Sequence, residues 1–282
     1  MNRKGEVTVN RSVDLIYCQI DSSRPDVIAV VTICREDAAN SFNQDVILGL
    51  TQVFLEVAKA QHVRALVLRG RGKHFSAGAD LSWMKDAAKL SYEENLSDAG
   101  KLTQMFESLY QLKIPTLGLL HGSVFGGAVG LAACCDIVLA DTHTKFCLSE
   151  VKLGLLPAVI YPYLAHRIHK GQLRRLSVTA RLFQAEEALN NGLVDQIFDS
   201  ESRSRMLREE LNLILAASPQ AISLLKTLHH TLEKDNFMQS DDTGKAISKA
   251  RTSLEGQAGL ASFFAKQQSP WTCKLSEEWD LP

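Results

Sequence analysis

Two short stretches of this chain hold residues whose types and spacing could do chemistry together. Lys73-His74-Phe75-Ser76-Ala77-Gly78-Ala79-Asp80 is followed, some forty-five residues on, by Phe125-Gly126-Gly127-Ala128-Val129-Gly130-Leu131. Each is a glycine/alanine turn after an apolar run, and two such turns can aim two main-chain N–H groups at one oxygen. That is an oxyanion hole made of backbone, which needs no buried charged side chain. The second turn opens a predicted helix, Gly126–Cys135, whose partially positive N-terminus points toward the same oxygen. The chemistry that suits this arrangement is stabilisation of an enolate or tetrahedral anion derived from an acyl group. A single glycine-rich turn reads more simply as close strand–helix packing, so the pairing of the two turns carries the inference.

The elements that must position these turns are legible as apolar runs. Strands are predicted at Leu15–Ile20, Val27–Ile33, Ala65–Leu68, Pro115–Leu120 and Ile137–Ala140, all rich in Val, Ile and Leu. The first two, joined by the polar Asp21–Asp26, read as a hairpin. Helices are predicted at Gln44–Ala60, with Val46, Ile47, Leu50, Val53, Phe54 and Val57 at helical spacing, at Tyr92–Leu112 and at Gly126–Cys135. Alternation of strand and helix through residue 140 argues for an α/β core with crossover connections. From about Gln172 the pattern turns helical: Gln172–Thr179, Ala185–Asn190, Arg203–Ala217, Pro219–Lys234 and Thr243–Lys266. Gly192 reads as a left-handed cap, and Pro219 follows Ser218 at a helix start. The expected organisation is an α/β core over residues 1–200 and a helical region over 201–282, with no flexible linker between them.

Composition narrows the partners. The 282 residues are 45% hydrophobic and 22% charged with a formal net charge of -1, ordinary for a globular chain with a sizeable core. That balance gives no support for nucleic acid or a membrane surface as the main partner. The six cysteines (Cys18, Cys34, Cys134, Cys135, Cys147 and Cys273) include no C-x-x-C pair and read as reduced thiols, not disulfides or zinc ligands. Met1–Asp14 has no apolar core of a secretory signal and mixes Arg3, Lys4 and Arg11 with Glu6 and Asp14, a poor transit peptide. No run is long and charge-free enough to span a bilayer. The expected location is the cytoplasm.

Taken together the motifs resemble the crotonase (enoyl-CoA hydratase/isomerase) superfamily over nearly the whole chain. The markers are Asn40-Ser41-Phe42-Asn43, Phe75–Asp80, His121-Gly122-Ser123-Val124-Phe125-Gly126-Gly127, Cys135-Asp136-Ile137, Phe146 to Pro157, and Glu255-Gly256 through Phe263, Phe264, Lys266 and Trp271. Each is weak alone; their order and spacing are specific. Ala79-Asp80-Leu81-Ser82-Trp83-Met84, with Gly126–Leu131 and Cys134-Cys135-Asp136, is similar to a bacterial branch named methylglutaconyl-CoA hydratases or their isoprenoid-chain relatives, in a setting of leucine degradation or fatty acid metabolism.

The resemblance implies a spiral of β-β-α turns and a helical C-terminal trimerisation region, giving a homotrimer or a hexamer built as a dimer of trimers. It assigns the oxyanion donors to the N–H groups of Ala79 and Gly127, with Gly126, Gly130 and Asp80 beside the acyl group. The carbonyl of Ala77 is implied as an adenine contact, and Phe263 with Lys266 as contacts to the nucleotide end of CoA across a subunit contact. Gln267 stands where the family often has arginine, so one phosphate contact is missing. By default Phe263-Phe264 with Lys266 reads as an amphipathic face buried between subunits, which is compatible. No metal or redox cofactor is expected, because the thioester of coenzyme A is itself the electron sink.

Glu150 aligns with the second of the superfamily's two catalytic glutamates; in a dry acyl pocket its pKa should rise toward neutrality. The first glutamate falls twenty residues earlier, at Gly130, which has no side chain. One carboxylate with a backbone hole suits a proton shuttle between Cα and Cγ, as in single-glutamate isomerases. The branch resemblance points instead to hydration of a branched, carboxylated 2-enoyl-CoA, whose own carboxylate could help orient the water. Hydratase is the reading adopted, with isomerase and a non-catalytic acyl-CoA-binding protein as the alternatives. Lys152, Tyr161 and Tyr163 are further candidates for the acyl end, although structural roles are commoner for such residues. Asp80 is also a favoured N-cap for a helix starting near Leu81. His74 and His121 flank the turns, where packing roles are the simpler reading.

Overall fold

A computed structural model describes residues 15–20, 27–235, 240–277 and 279–281. Met1–Asp14 and the Asp21–Asp26 connection therefore lie outside the described residues. The centre is a six-stranded sheet in the order β1-β2-β3-β4-β6-β9: β1 (Ile16–Gln19), β2 (Ile28–Ile33), β3 (Ala65–Gly70), β4 (Thr116–Leu120), β6 (Ile137–Asp141) and β9 (Gln196–Phe198). β1 runs antiparallel to β2, with Ile16 opposite Ile33, as the hairpin reading requires. The remaining pairs are parallel, with Ile28 opposite Ala65, Leu66 opposite Thr116, Leu117 opposite Ile137 and Leu139 opposite Gln196. A parallel sheet covered on both faces needs continuous apolar strands, and β2 (IAVVTI) is buried at every position.

Alternate residues of these strands feed two separate cores. Ala29, Val31, Ile33, Leu66, Leu68, Leu120, Val138 and Ala140 face a layer that includes α1 (Gln44–Lys59), α3 (Tyr92–Tyr110) and α4 (Gly127–Cys134). Ile28, Val30, Ala65, Val67, Leu117, Leu119 and Leu139 face Leu207, Leu211, Ile214 and Leu215 of α8 (Arg203–Ala216), together with Leu275 near the C-terminus. The chain beyond residue 200 thus supplies one wall of the central sheet's packing.

A second sheet, absent from the sequence reading, lies beside the first. It pairs β5 (Ser123–Phe125) in parallel with β7 (Lys145–Cys147), and β7 antiparallel with β8 (Phe183–Gln184). Strands β4, β5 and helix α4 make one β-β-α turn of the expected spiral. In the next, β6 and β7 are followed by α5 (Tyr161–Arg167) and α6 (Lys170–Thr179). Gly192 closes α7 (Ala185–Asn191) at φ 90°, its N–H donating to Leu189 O, as the cap reading requires.

One expectation is corrected. The helix predicted over Thr243–Lys266 is two helices, α10 (Ser240–Thr252) and α11 (Leu254–Phe264), which follow α9 (Pro219–Asp235). Ser253 breaks it: its backbone is extended (φ −68°, ψ 155°) and its hydroxyl accepts the Gly256 N–H at 2.9 Å. A Cβ at Gly256 would stand 2.0 Å from Ala250 O, so the reversal requires glycine there.

Candidate active site

The two glycine turns meet edge to edge. Phe75 N–H donates to His121 O at 2.8 Å, Ser76 N–H to Ser123 O at 3.1 Å, and Phe125 N–H to Ser76 O at 3.2 Å. The first turn therefore runs alongside β5 up to the start of α4. At Gly78 (φ 92°) the approach is close: a Cβ there would lie 2.7 Å from Phe125 O. Gly126 (φ 52°, ψ −122°) turns the chain from β5 into α4, its N–H donating to Cys147 O at 2.8 Å. An L side chain is strained at both positions.

This geometry leaves amides over at both turns. Among the described residues, the N–H groups of Ala79 and Gly127 are given to no acceptor, and both residues retain access to solvent. Gly127 is the first residue of α4, so its N–H has no partner within the helix and carries the helix's positive end. Phe42 brackets Ala79, donating to Gly78 O at 2.7 Å and accepting from Asp80 N–H at 2.9 Å. In such a parallel bridge the bracketed residue's own N–H points away from its partner.

Glu150 stands on a 3-10 turn, Glu150–Leu153, that follows β7. Its Oε1 would be 3.1 Å from a Cβ on Gly126, so the carboxylate abuts the residue preceding the Gly127 amide. Its Oε2 is buried without a hydrogen-bond partner. Loss of solvent pushes the Glu150 pKa above the ordinary value of 4.5. A carboxylate that keeps its charge poorly and has one oxygen without a partner is suited to passing a proton.

The structure therefore brings Ala79, Gly126, Gly127 and Glu150 together, and the other candidates fall elsewhere. The carbonyl of Ala77 accepts no hydrogen bond among the described residues, while its N–H is held by Ala39 O at 2.9 Å. Asp80 is engaged by the fold: Oδ1 caps α2 (Leu81–Ala87) through the N–H groups of Ser82 and Trp83, and Oδ2 pairs with Arg35 Nη1 at 2.7 Å. Gly130 is buried on α4, and a Cβ there would be 2.2 Å from Ile160 Cγ2 and 3.0 Å from Phe106 Cε1. That position is a packing contact, closed to a carboxylate. Phe263 lies in the last turn of α11 and Lys266 just past its end, and α11 packs on α9 and α10. Phe263 and Phe264 are 74% and 78% exposed, an apolar face left uncovered by the described residues of a single chain.

His74, His121 and Tyr163 are engaged by the fold. His74 Nδ1 accepts the Ser123 N–H at 3.1 Å, and His121 Nε2 lies 2.9 Å from Gly72 O, its pKa lowered by burial. Tyr163 packs edge-on against Tyr110, and burial pushes its pKa to about 12. Lys152 is exposed and Tyr161 partly so. Phe106 and Ile160, by contrast, pack against α4 beside the site and carry no motif signal that singles them out; Phe42 stands in the Asn40–Asn43 marker, but the resemblance assigns it no site role.

With this geometry in place, comparison with known proteins is decisive. The family model described as enoyl-CoA hydratase/isomerase matches residues 23–274. The chain belongs to that family. It is an enzyme of acyl-CoA chemistry, with the family's hydratase/isomerase activity and a crotonase fold. It is 32% identical over 247 residues to a putative enoyl-CoA hydratase of Thermus thermophilus, covering 85% of this chain and 95% of that one. It is 32% identical over 205 residues to the short-chain-enoyl-CoA hydratase of Clostridium acetobutylicum, covering 71% and 76%. Among solved structures, an enoyl-CoA hydratase from Shewanella pealeana superposes with a TM-score of 0.87 at 36% identity, covering 92% of this chain and 97% of that one.

Proposed function

We propose that this enzyme adds water to a branched, carboxylated 2-enoyl-CoA, such as 3-methylglutaconyl-CoA or an isoprenoid analogue, giving the 3-hydroxyacyl-CoA. The observation that carries the reading is the pair of unclaimed amides, Ala79 and Gly127, beside the Glu150 carboxylate, whose Oε2 is buried without a partner. The thioester oxygen accepts from both amides, which strengthen as it becomes an enolate oxyanion. Glu150 takes a proton from water as the hydroxyl adds to C3. It then returns that proton to C2, so both parts of the water arrive from one face and the carboxylate is regenerated. The substrate's own carboxylate helps orient the water, because Gly130 offers no side chain.

A second reading rests on a specific observation. The α4 face one turn below the Gly127 amide is filled by Phe106 and Ile160, so a single acid works against a dry wall. That favours double-bond migration, with Glu150 moving one proton between Cα and Cγ.

The CoA end of the reading places the nucleotide at the Ala77 carbonyl and, in a homotrimer or hexamer, at Phe263 and Lys266 of a neighbouring copy. The exposed Leu254, Leu260, Phe263 and Phe264 of α11 support burial between copies. Six free thiols suit a reducing cytoplasm.

Purified protein given 3-methylglutaconyl-CoA, crotonyl-CoA and a 3-enoyl-CoA in parallel tests this. Loss of the enoyl chromophore, faster with the first than with crotonyl-CoA, supports the substrate assignment; equal rates dismiss assistance by the substrate carboxylate. Migration of the 3-enoyl double bond without hydration supports the second reading. Binding with no change in any acyl chain would leave only a carrier of acyl-CoA.

A further inference from the structure

Phe42 touches both halves of the oxyanion hole, through different parts of itself. Its main chain is the bridge partner of Ala79, with Gly78 O at 2.7 Å and the Asp80 N–H at 2.9 Å. Its ring lies against Gly127: a Cβ on Gly127 would meet Phe42 Cε2 at 3.1 Å and Cδ2 at 3.3 Å. Glycine at 127 is thus what allows the ring to seat directly on the helix backbone beside the second donor.

Phe42 is itself held firmly on either side. Asn43 caps α1 by accepting the Val46 N–H at 3.0 Å, and Arg35 Nη1 donates to Ser41 O at 3.0 Å. Asn40 Nδ2 donates to Arg71 O at 2.8 Å and His74 O at 2.7 Å, tying this segment to the first turn. The ring is buried.

We propose that Phe42 is a positioning residue that sets the separation of the two oxyanion donors. Its backbone fixes the Ala79 amide, and its ring fixes how near the start of α4 can approach. The inference rests on the oxyanion-hole reading and holds whichever way the proton then travels.

The test uses Phe42→Leu, Phe42→Ala and Phe42→Met in the full chain. The probes are acetoacetyl-CoA, whose bound enolate absorbs in the near ultraviolet and reports the hole directly, and butyryl-CoA, which reports binding alone. Phe42→Leu should lower kcat by about 100-fold with KM moved by less than about 3-fold, since displacement of a donor by about 1 Å is felt mainly in the transition state. The enolate signal at fixed pH should fall in parallel, with butyryl-CoA affinity held, and Phe42→Met should recover part of both. Phe42→Ala opens a larger void; if it does not fold, the leucine and methionine variants decide. A folded Phe42→Leu with unchanged kcat and enolate signal overturns the inference alone, as does equal loss of butyryl-CoA binding. No enolate signal on the unaltered protein overturns the oxyanion hole and this inference with it.

Discussion

Ile160 occupies the space that a side chain on Gly130 would need. A Cβ at residue 130 would lie 2.2 Å from Ile160 Cγ2 and 2.8 Å from Ile160 Cβ, with the Phe106 ring 3.0 Å away. The two residues behave as a size pair, a glycine on α4 under a branched side chain at the start of α5. Gly130→Glu alone should therefore overpack the core and bury an unpaired carboxylate, costing about 3 kcal/mol or more. Ile160→Gly by itself opens a void and should also destabilise. The double variant should be more stable than the sum of the singles by at least about 1 kcal/mol, because each change removes the other's problem. Urea denaturation of the four proteins checks this; simple additivity would dissolve the pair.

Glu150 is expected to trade stability for chemistry. Its pKa is raised by burial, so the folded state binds its proton more tightly than the unfolded chain does. The stabilisation tied to that proton is complete below the unfolded value of 4.5 and is lost as pH rises through the raised folded value. Glu150→Gln, neutral at every pH, should match or exceed the unaltered protein in Tm near neutrality, and the difference should vanish in acid. Turnover should fall by about 100-fold to 10,000-fold while acyl-CoA binding is retained. In the unaltered enzyme kcat/KM should rise with pH through the raised Glu150 pKa, since the carboxylate is the form that accepts the first proton. A Glu150→Gln variant that turns over normally would remove this residue from the mechanism.

The sequence was informative where local chemistry dictates structure. β2 and β3 are mostly aliphatic runs, and Gly78 and Gly126 hold positive φ angles where an L side chain is strained, so strands and turns could be read from residue type. β5, β7 and β8 are only two or three residues long, too short for any alternation to show. Ser253 with Gly256 is a helix-start signal, but it sits inside a helical pattern that masks it. Ile160 is thirty residues from Gly130, and nothing in either neighbourhood announces their contact. Phe42 stands in a recognisable marker, yet its double role exists only once the two turns are folded together.

The Arg35–Asp80 pair links the first turn to the segment before α1. The Trp83 amide first, then the Arg35 guanidinium, holds the Asp80 carboxyl below its ordinary 3.8. A depressed carboxyl stabilises the fold above the unfolded value of 3.8, and that contribution is lost as pH falls through the lower folded value. Asp80→Asn keeps a good cap and loses only the ion pair, whereas Asp80→Ala loses both; the difference should be about 1 kcal/mol. Both variants should flatten the acid limb of stability against pH. An unchanged acid limb in thermal melts would show that Asp80 does not set it.

Lys226 ties α9 to the core from an unusual position for a lysine. Its side chain is 9% exposed, with Nζ donating to Ile114 O at 2.9 Å and to Asp136 Oδ2 at 2.5 Å. Asp136 Oδ2 also accepts from Thr116 N–H at 2.7 Å and Thr116 Oγ1 at 2.8 Å, at the start of β4. Lys226 is buried, but the Asp136 side chain is 35% exposed, so the charge left behind is partly screened by solvent. Lys226→Met, which keeps the aliphatic stem, should therefore destabilise by about 1 kcal/mol, and a lower urea midpoint will show it. Asp136 retains its bonds to Thr116, so changing both residues, Lys226→Met with Asp136→Asn, should restore much of that loss. If the double variant is no better than Lys226→Met alone, the cost lies in the Ile114 contact and not in the charge.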